Sequence, residues 1–166
     1  YKLPIISLRF FNIFGPNSRT TGAYGAMFGV FLAQKINNQP LTIVGNGNQT
    51  RDFLYVLDLC RAILKASLST KKGEIYNVAS GKEIKVNFIA KLISKNLTFI
   101  PKRPGEPDRS LASIKKIKKH LKWYPRISIE KGVEILLNRI SDWKKAPVWT
   151  PKKIKSATRL WFKLLS

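Results

Sequence analysis

One cysteine, one histidine and one methionine stand in 166 residues. The single thiol, Cys60, excludes an internal disulfide, and with His120 as the only imidazole the usual Cys/His zinc patterns have no ligand set. Acid is scarce too: nine Asp plus Glu face 31 Lys plus Arg, a formal net charge of +22 with a sequence pI near 10.4. No stretch approaches the roughly 18 uninterrupted apolar residues of a membrane-spanning helix. Tyr1-Lys2-Leu3-Pro4-Ile5-Ile6 lacks the layout of a secretory signal. The expectation is a cytoplasmic protein with no transmembrane segment.

What is present is the composition of a packed globule. Hydrophobic residues make up 44% of the chain, including four Trp, five Tyr and nine Phe, enough for one domain with a sizeable core. The excess of cations suits polyanions, anionic membrane surfaces or small phosphorylated ligands. It also suits a lysine-biased composition whose lysines are solvated on surface helices. Nothing reads as a helix-turn-helix, an RNP motif or a zinc finger, so no nucleic-acid partner is expected.

Short strands interleave with helices, which predicts an α/β fold. Ile5 to Phe11 is a buried-strand pattern ended by Gly15-Pro16; as the leading element it is expected to lack a partner in the chain, the mark of an incomplete domain. Asn17 to Gly25 reads as a loop and Ala26 to Ile36 as a helix. Strands are expected at Leu41 to Val44, Phe53 to Val56, Glu74 to Ala79 and Leu97 to Ile100. Helices are expected at Val56 to Ser67, with Asp58 capping it, and at Val86 to Ser94, with Asn87 as cap. Further helices are expected at Ile114 to Leu121 and Ile129 to Trp143. The segment Pro151 to Ser166 puts Ile154, Ala157, Leu160, Trp161 and Leu164 on one helical face. Cys60 is expected in the core, His120 on the surface, and Trp143, Trp149 and Trp161 as packing aromatics. There is no internal repeat or low-complexity tract.

The most informative segment runs from Leu41 to Asp58. An apolar run stops at Gly45-Asn46-Gly47, a turn of the Asn-Gly type that tolerates positive φ, and the chain then presents Arg51 and Asp52 beside an aromatic second run. Arg9 with Asn12, Arg51, and Arg103 with Glu106 form three places competent to hold an anion. Arginine grips phosphate through parallel charge-assisted hydrogen bonds, and a carboxylate accepts both hydroxyls of a ribose. Two arginines and one acid therefore suit a nucleotide diphosphate better than a nucleic-acid backbone. Asp52 is read as fixing its loop by hydrogen bonds.

Five stretches carry a family resemblance. Arg9-Phe10-Phe11-Asn12-Ile13-Phe14-Gly15-Pro16 resembles "R-[YF]-F-N-x-[YF]-G-P", and the run Gln49 to Asp58 resembles "Q-T-R-D-F-x-Y-V-x-D". Tyr76-Asn77-Val78-Ala79-Ser80-Gly81 is similar to "Y-N-V-G-S-G", Arg103-Pro104-Gly105-Glu106-Pro107 to "R-P-G-[DE]-P", and Leu121-Lys122-Trp123-Tyr124-Pro125 to "L-G-W-x-P". In this order they are the motifs of NAD-dependent sugar-nucleotide epimerases and dehydratases, the extended short-chain dehydrogenases, with UDP-glucose 4-epimerase-like members resembled most.

The resemblance implies the C-terminal part of an extended Rossmann-type fold: the last strands of the parallel sheet plus a smaller substrate-binding domain. It divides the chain into 1–16, a last-strand remnant of the NAD-binding domain; 17–143, mainly substrate binding with returns to the sheet; and 144–166, a basic helix docking on the domain. Asn12 is implied to contact the sugar nucleotide and Phe11 to lie beside the nicotinamide. Arg51 and Arg103 would hold the diphosphate and Glu106 the ribose, while Ala26 and Met27 align loosely with the family's substrate loop. The implied cofactor is NAD, the implied substrate a UDP-sugar, and the full-length parent a homodimer.

The departures are as telling. The family's glycine-rich phosphate loop is absent, and so is its catalytic Tyr-x-x-x-Lys pair, since Tyr1 is followed four places on by Ile5. Both belong before the Ile5 strand in complete relatives, where the main NAD site is expected. The family's "A-D-x-S-K" reads Ala112-Ser113-Ile114-Lys115-Lys116, with serine replacing aspartate. By itself the chain is expected to be catalytically silent. A 4,6-dehydratase of the same family, a non-catalytic polyanion-binding module and a split or pseudogene product stand as the alternatives.

Overall fold

A computed structural model describes residues 3–20 and 27–165. Its organising feature is one extended stretch shared by two partners. β1 (Ile6–Phe10) pairs in parallel with β6 (Glu74–Val78), Ile6 opposite Glu74 and Phe10 opposite Val78. β2 (Asn12–Phe14) then pairs in parallel with β5 (Phe53–Tyr55). The change of partner falls at Phe11, whose amide donates to the Val78 carbonyl at 3.2 Å, while the Asn12 amide donates to the Asp52 carbonyl at 3.2 Å. The expectation of an unpartnered leading strand is overturned: its partner lies far along the chain, where local pattern does not reveal it.

α2 (Val56–Ser67) starts directly off β5 and turns Asp58, Ala62 and Ala66 inward. Small residues on that face let the helix lie close to the strands. Cys60 is on the opposite face and is exposed, not in the core. Asp58 does not cap the helix; the cap position is Tyr55, without a side-chain bond. Instead the fully buried Asp58 carboxylate accepts the backbone N–H groups of Arg126 and Ile127, each at 2.9 Å, and pairs with Arg61. Beneath α2 a first hydrophobic cluster gathers Leu54, Tyr76, Val78 and Trp123 with Ile117 of α4 (Lys115–Leu121). His120 on α4 is half-buried, its Nδ1 3.1 Å from the Tyr76 hydroxyl.

A second, larger cluster joins α1 (Met27–Ile36), β3 (Leu41–Val44), α3 (Val86–Ile93) and α5 (Ile129–Asn138). Phe14 stacks on Phe28 at 4.3 Å, and Phe28 meets Phe53 edge-on at 5.5 Å, so α1 is tied to the β2–β5 pair by aromatic contacts. α5 comes close enough to this stack that a Cβ on Gly132 would sit 2.5 Å from the Phe14 ring. β3 pairs in parallel with β8 (Leu97–Ile100), and β4 (Thr50–Arg51) pairs antiparallel with β7 (Ile84–Lys85).

Other departures have local causes. α1 is described from Met27; Ala26 and residues 21–25 of the expected loop lie outside the described residues. Asn87 does not cap α3, where Lys85 holds that position; its amide donates to the Asn46 carbonyl at 2.5 Å and staples the Gly45–Gly47 turn. The helix expected through Trp143 ends at Asn138 and continues as a 3-10 turn, Ile140–Trp143. The final segment is two helices, α6 (Pro151–Ala157) and α7 (Arg159–Leu165). They break at Thr158, whose hydroxyl bonds back to the Ile154 carbonyl at 2.8 Å. That break disperses the expected single face: Ile154 is buried, whereas Leu160 and Leu164 are 64% and 76% exposed.

Candidate functional site

The fork at Phe11 is where a cleft opens, because splitting a strand between two partners leaves a crevice at the point of divergence. The cleft encloses about 460 Å³, within the range of small-molecule sites. Phe11, Asn12, Arg51, Arg103 and Glu106, singled out from three separate stretches of sequence, all line it. Arg9 does not; it is exposed on β1.

Each polar group is held from behind. The Asn12 side-chain amide donates to the Asp52 carbonyl at 3.2 Å, the same oxygen its backbone uses. Arg51 donates from Nη1 to the Thr50 carbonyl at 2.8 Å and from Nη2 to Glu106 Oε1 at 3.0 Å, with only 13% of its side chain exposed. The other Glu106 oxygen, Oε2, is buried and takes no hydrogen bond among the described residues. A buried acceptor left unmade is costly, so Glu106 has capacity for a hydroxyl donor entering the cleft.

Asp52 is the pin of the assembly. Fully buried, it accepts from the Ser80 amide (2.7 Å), the Ser80 hydroxyl (2.6 Å), the Gly81 amide (2.9 Å) and the Ala112 amide (3.2 Å). It thereby joins the end of β6 and the approach to α4 to the strand edge that carries Arg51. Its expected loop-fixing role is what the geometry shows.

The loop bearing Arg103 and Glu106 is tied to the same edge. The Thr50 amide donates to the Asp108 carbonyl at 2.8 Å. Glu83 accepts the Thr50 hydroxyl at 3.0 Å and takes Arg109 in a two-pronged grip at 2.8 and 2.7 Å. The Arg109 hydrogen bonds, then the Thr50 hydroxyl, hold the Glu83 carboxyl below its ordinary value. From the other side, Trp161 of α7 donates its indole N–H to the Pro104 carbonyl at 2.9 Å, and the Arg103 guanidinium stands 5.8 Å from its ring centre.

Sequence reasoning did not assign Trp149, Ile154, Gln49 or Trp161 to this site. Trp149, Ile154 and Gln49 line the cleft. Gln49 lay inside a quoted motif and was the one with a usable signal. Trp149 is placed by Gln34, a fully buried amide that donates to the Trp149 carbonyl and the Thr42 hydroxyl, each at 2.8 Å. Nothing local announces that pairing.

Among the described residues the lining holds two arginines, one glutamate, one asparagine, one glutamine and one threonine against aromatic and aliphatic walls, with no His, Cys, Lys or Tyr. The arrangement can hold an anion and a hydroxyl beside a flat apolar group; it carries no nucleophile–base pair.

Residues 1–79 match the sequence profile of the NAD dependent epimerase/dehydratase family. The chain is 33% identical over 162 residues to the UDP-glucuronate 4-epimerase of Thermodesulfobacterium geofontis, which aligns with 93% of this chain and 47% of that protein. It is 31% identical over 158 residues to the trifunctional UDP-glucose 4,6-dehydratase/UDP-4-keto-6-deoxy-D-glucose 3,5-epimerase/UDP-4-keto-L-rhamnose-reductase of Arabidopsis thaliana, covering 90% of this chain and 22% of that one. Among solved structures, the UDP-glucuronic acid 4-epimerase from Bacillus cereus in complex with UDP-glucuronic acid and NAD superposes with a TM-score of 0.76 at 31% identity, covering 84% of this chain and 46% of that one. The α/β fold with parallel strand pairs is that of about half of such an extended Rossmann-type epimerase.

Proposed function

Because the chain belongs to the NAD-dependent epimerase/dehydratase family, we propose that it forms the substrate-binding portion of a nucleotide-sugar 4-epimerase acting on a UDP-sugar. The observation that carries this reading is the convergence of Phe11, Asn12, Arg51, Arg103 and Glu106 on one cleft. Arg51 and Arg103 grip the diphosphate. Glu106, with Oε1 on Arg51 and Oε2 unpartnered among the described residues, accepts the ribose hydroxyls. Asn12, anchored at the fork, orients the sugar. Within this reading, residues 1–16 belong to the cofactor-binding side, 17–143 mainly to the substrate side, and 144–166 brace the latter.

The chemistry NAD supplies when bound is reversible hydride acceptance at sugar C4, by way of a 4-keto sugar. Of this chain's residues Phe11 suits that group, a half-buried flat ring at the fork. The cleft binds and orients; proton transfer at the sugar needs a base, and the one carboxylate of its described lining, Glu106, is paired with Arg51 and assigned to the ribose. Turnover by the chain alone is therefore expected to be nil. The second reading, a 4,6-dehydratase of the same family, is favoured by the dehydratase named among its relatives.

The test is calorimetric titration of the chain with UDP and with UDP-glucuronic acid. Binding is expected, and R51A and R103A should each weaken it by roughly 10- to 100-fold, the worth of a charge-assisted contact. A chain that binds RNA tightly, with affinity collapsing as salt rises, and shows no heat with either nucleotide is a polyanion-binding module, and the proposal fails.

A further inference from the structure

Residues 151–165 carry Lys152, Lys153, Lys155, Arg159 and Lys163 and no acid. All five cations are exposed, and none takes part in an ion pair among the described residues. The inward side of α6 and α7 is committed to the molecule through buried Ile154 and Thr158 and through the Trp161 bond to Pro104. The outward side of α7 bears Leu160 and Leu164, four residues apart and so on one face, 64% and 76% exposed.

A lone exposed leucine needs no explanation. A pair of them on a short helix, among uncompensated cations, has the make-up of a helix that lies in a membrane interface. We propose that the α6–α7 pair docks on the surface of an anionic bilayer. Leu160 and Leu164 enter the boundary between head groups and acyl chains, while the five cations meet lipid phosphates. The partner is identified by two complementary features at once: phosphate answers the charge, and hydrocarbon answers the leucines. A nucleic acid offers the first without the second. No helix among the described residues is long and apolar enough to cross a membrane, so the contact is peripheral. The two leucines stand apart from the nucleotide reading of the cleft, whose lining takes Ile154 from α6 but neither leucine.

Sedimentation of the whole chain with phosphatidylcholine vesicles, with and without phosphatidylglycerol, tests the proposal. Pelleting is expected only with the anionic lipid, and it should fall steeply as salt rises past about 0.1 M, where surface charges are screened within ~10 Å. L160Q/L164Q, which removes the apolar side chains without changing the charge, should lower partitioning by on the order of 10-fold or more, with an unchanged circular dichroism spectrum. K152Q/K155Q, which leaves both leucines in place, should also weaken it. The proposal is overturned if the chain stays in the supernatant with anionic vesicles at low salt. It is equally overturned if the leucine variant pellets like the parent, or if both forms bind RNA and lipid alike, since each result describes charge attraction without insertion.

Discussion

Asp52 offers the sharpest test of whether this site is held by its supports. Replacing it with asparagine keeps the shape and removes the charge. One amide orientation keeps its oxygen on the Gly81 and Ala112 amides and turns its NH2 toward Ser80. The Ser80 hydroxyl can rotate to accept from it, but the Ser80 amide, now 2.7 Å from the carboxylate, is left facing a donor. One buried donor without a partner costs about 1–3 kcal/mol, and the remaining bonds lose their charge assistance. The sum is about 2–4 kcal/mol, or a fall in Tm of roughly 4–16 °C for a chain of this length. D52A, which strands all four donors, should cost more. Thermal unfolding followed by circular dichroism measures both, and a cycle with S80A should show a coupling of about 0.5–3 kcal/mol. If D52N melted within about 2 °C of the parent yet lost UDP binding, Asp52 would be touching ligand and the bracing argument would be wrong.

Trp161→Ala should weaken UDP binding by about 5-fold, because Arg103 and Pro104 lose a ring and a hydrogen bond; Trp161→Phe should fall between, read by titration calorimetry. Gly47→Ala should destabilise by about 1–2 kcal/mol in urea unfolding, since φ is +72° and the new Cβ would sit 2.1 Å from Asn87 Oδ1; an unchanged midpoint would mean the turn yields freely. Stability should also depend on acid through Glu83. Its folded pKa lies below the ordinary 4.5, so its contribution is full above that value and is lost as pH falls through the lower folded one. Glu83→Gln should flatten the acid limb of a Tm-against-pH curve, and an unaltered limb would count against the Glu83–Arg109 tie.

Much was legible locally. Leu41 to Val44, Val56 to Ser67 and Leu97 to Ile100 form the elements their patterns predict, to the residue. Apolar spacing and turn residues act within a few positions, where sequence and structure are in direct correspondence. Asp58 shows the opposite. A carboxylate in a first helical turn reads as a cap, but its donors are amides at 126 and 127, brought to it by folding. Cys60 failed similarly: its helix is apolar on more than one side, and which side faced inward was set by the small residues Ala62 and Ala66.

By itself the sequence determined the α/β class, the order of most elements and five of the residues that line the candidate site, because these rest on short-range pattern and on motifs that each occupy one stretch. Only the tertiary structure decided that β1 and β2 fork between two partners, that Asp52 pins three segments together, and that Trp161 reaches across to Pro104. Those depend on hydrogen bonds between residues 28 to 67 positions apart, whose partners are chosen by the packing of the two hydrophobic clusters. The cleft exists because the strand splits, and no single stretch of the chain encodes the split.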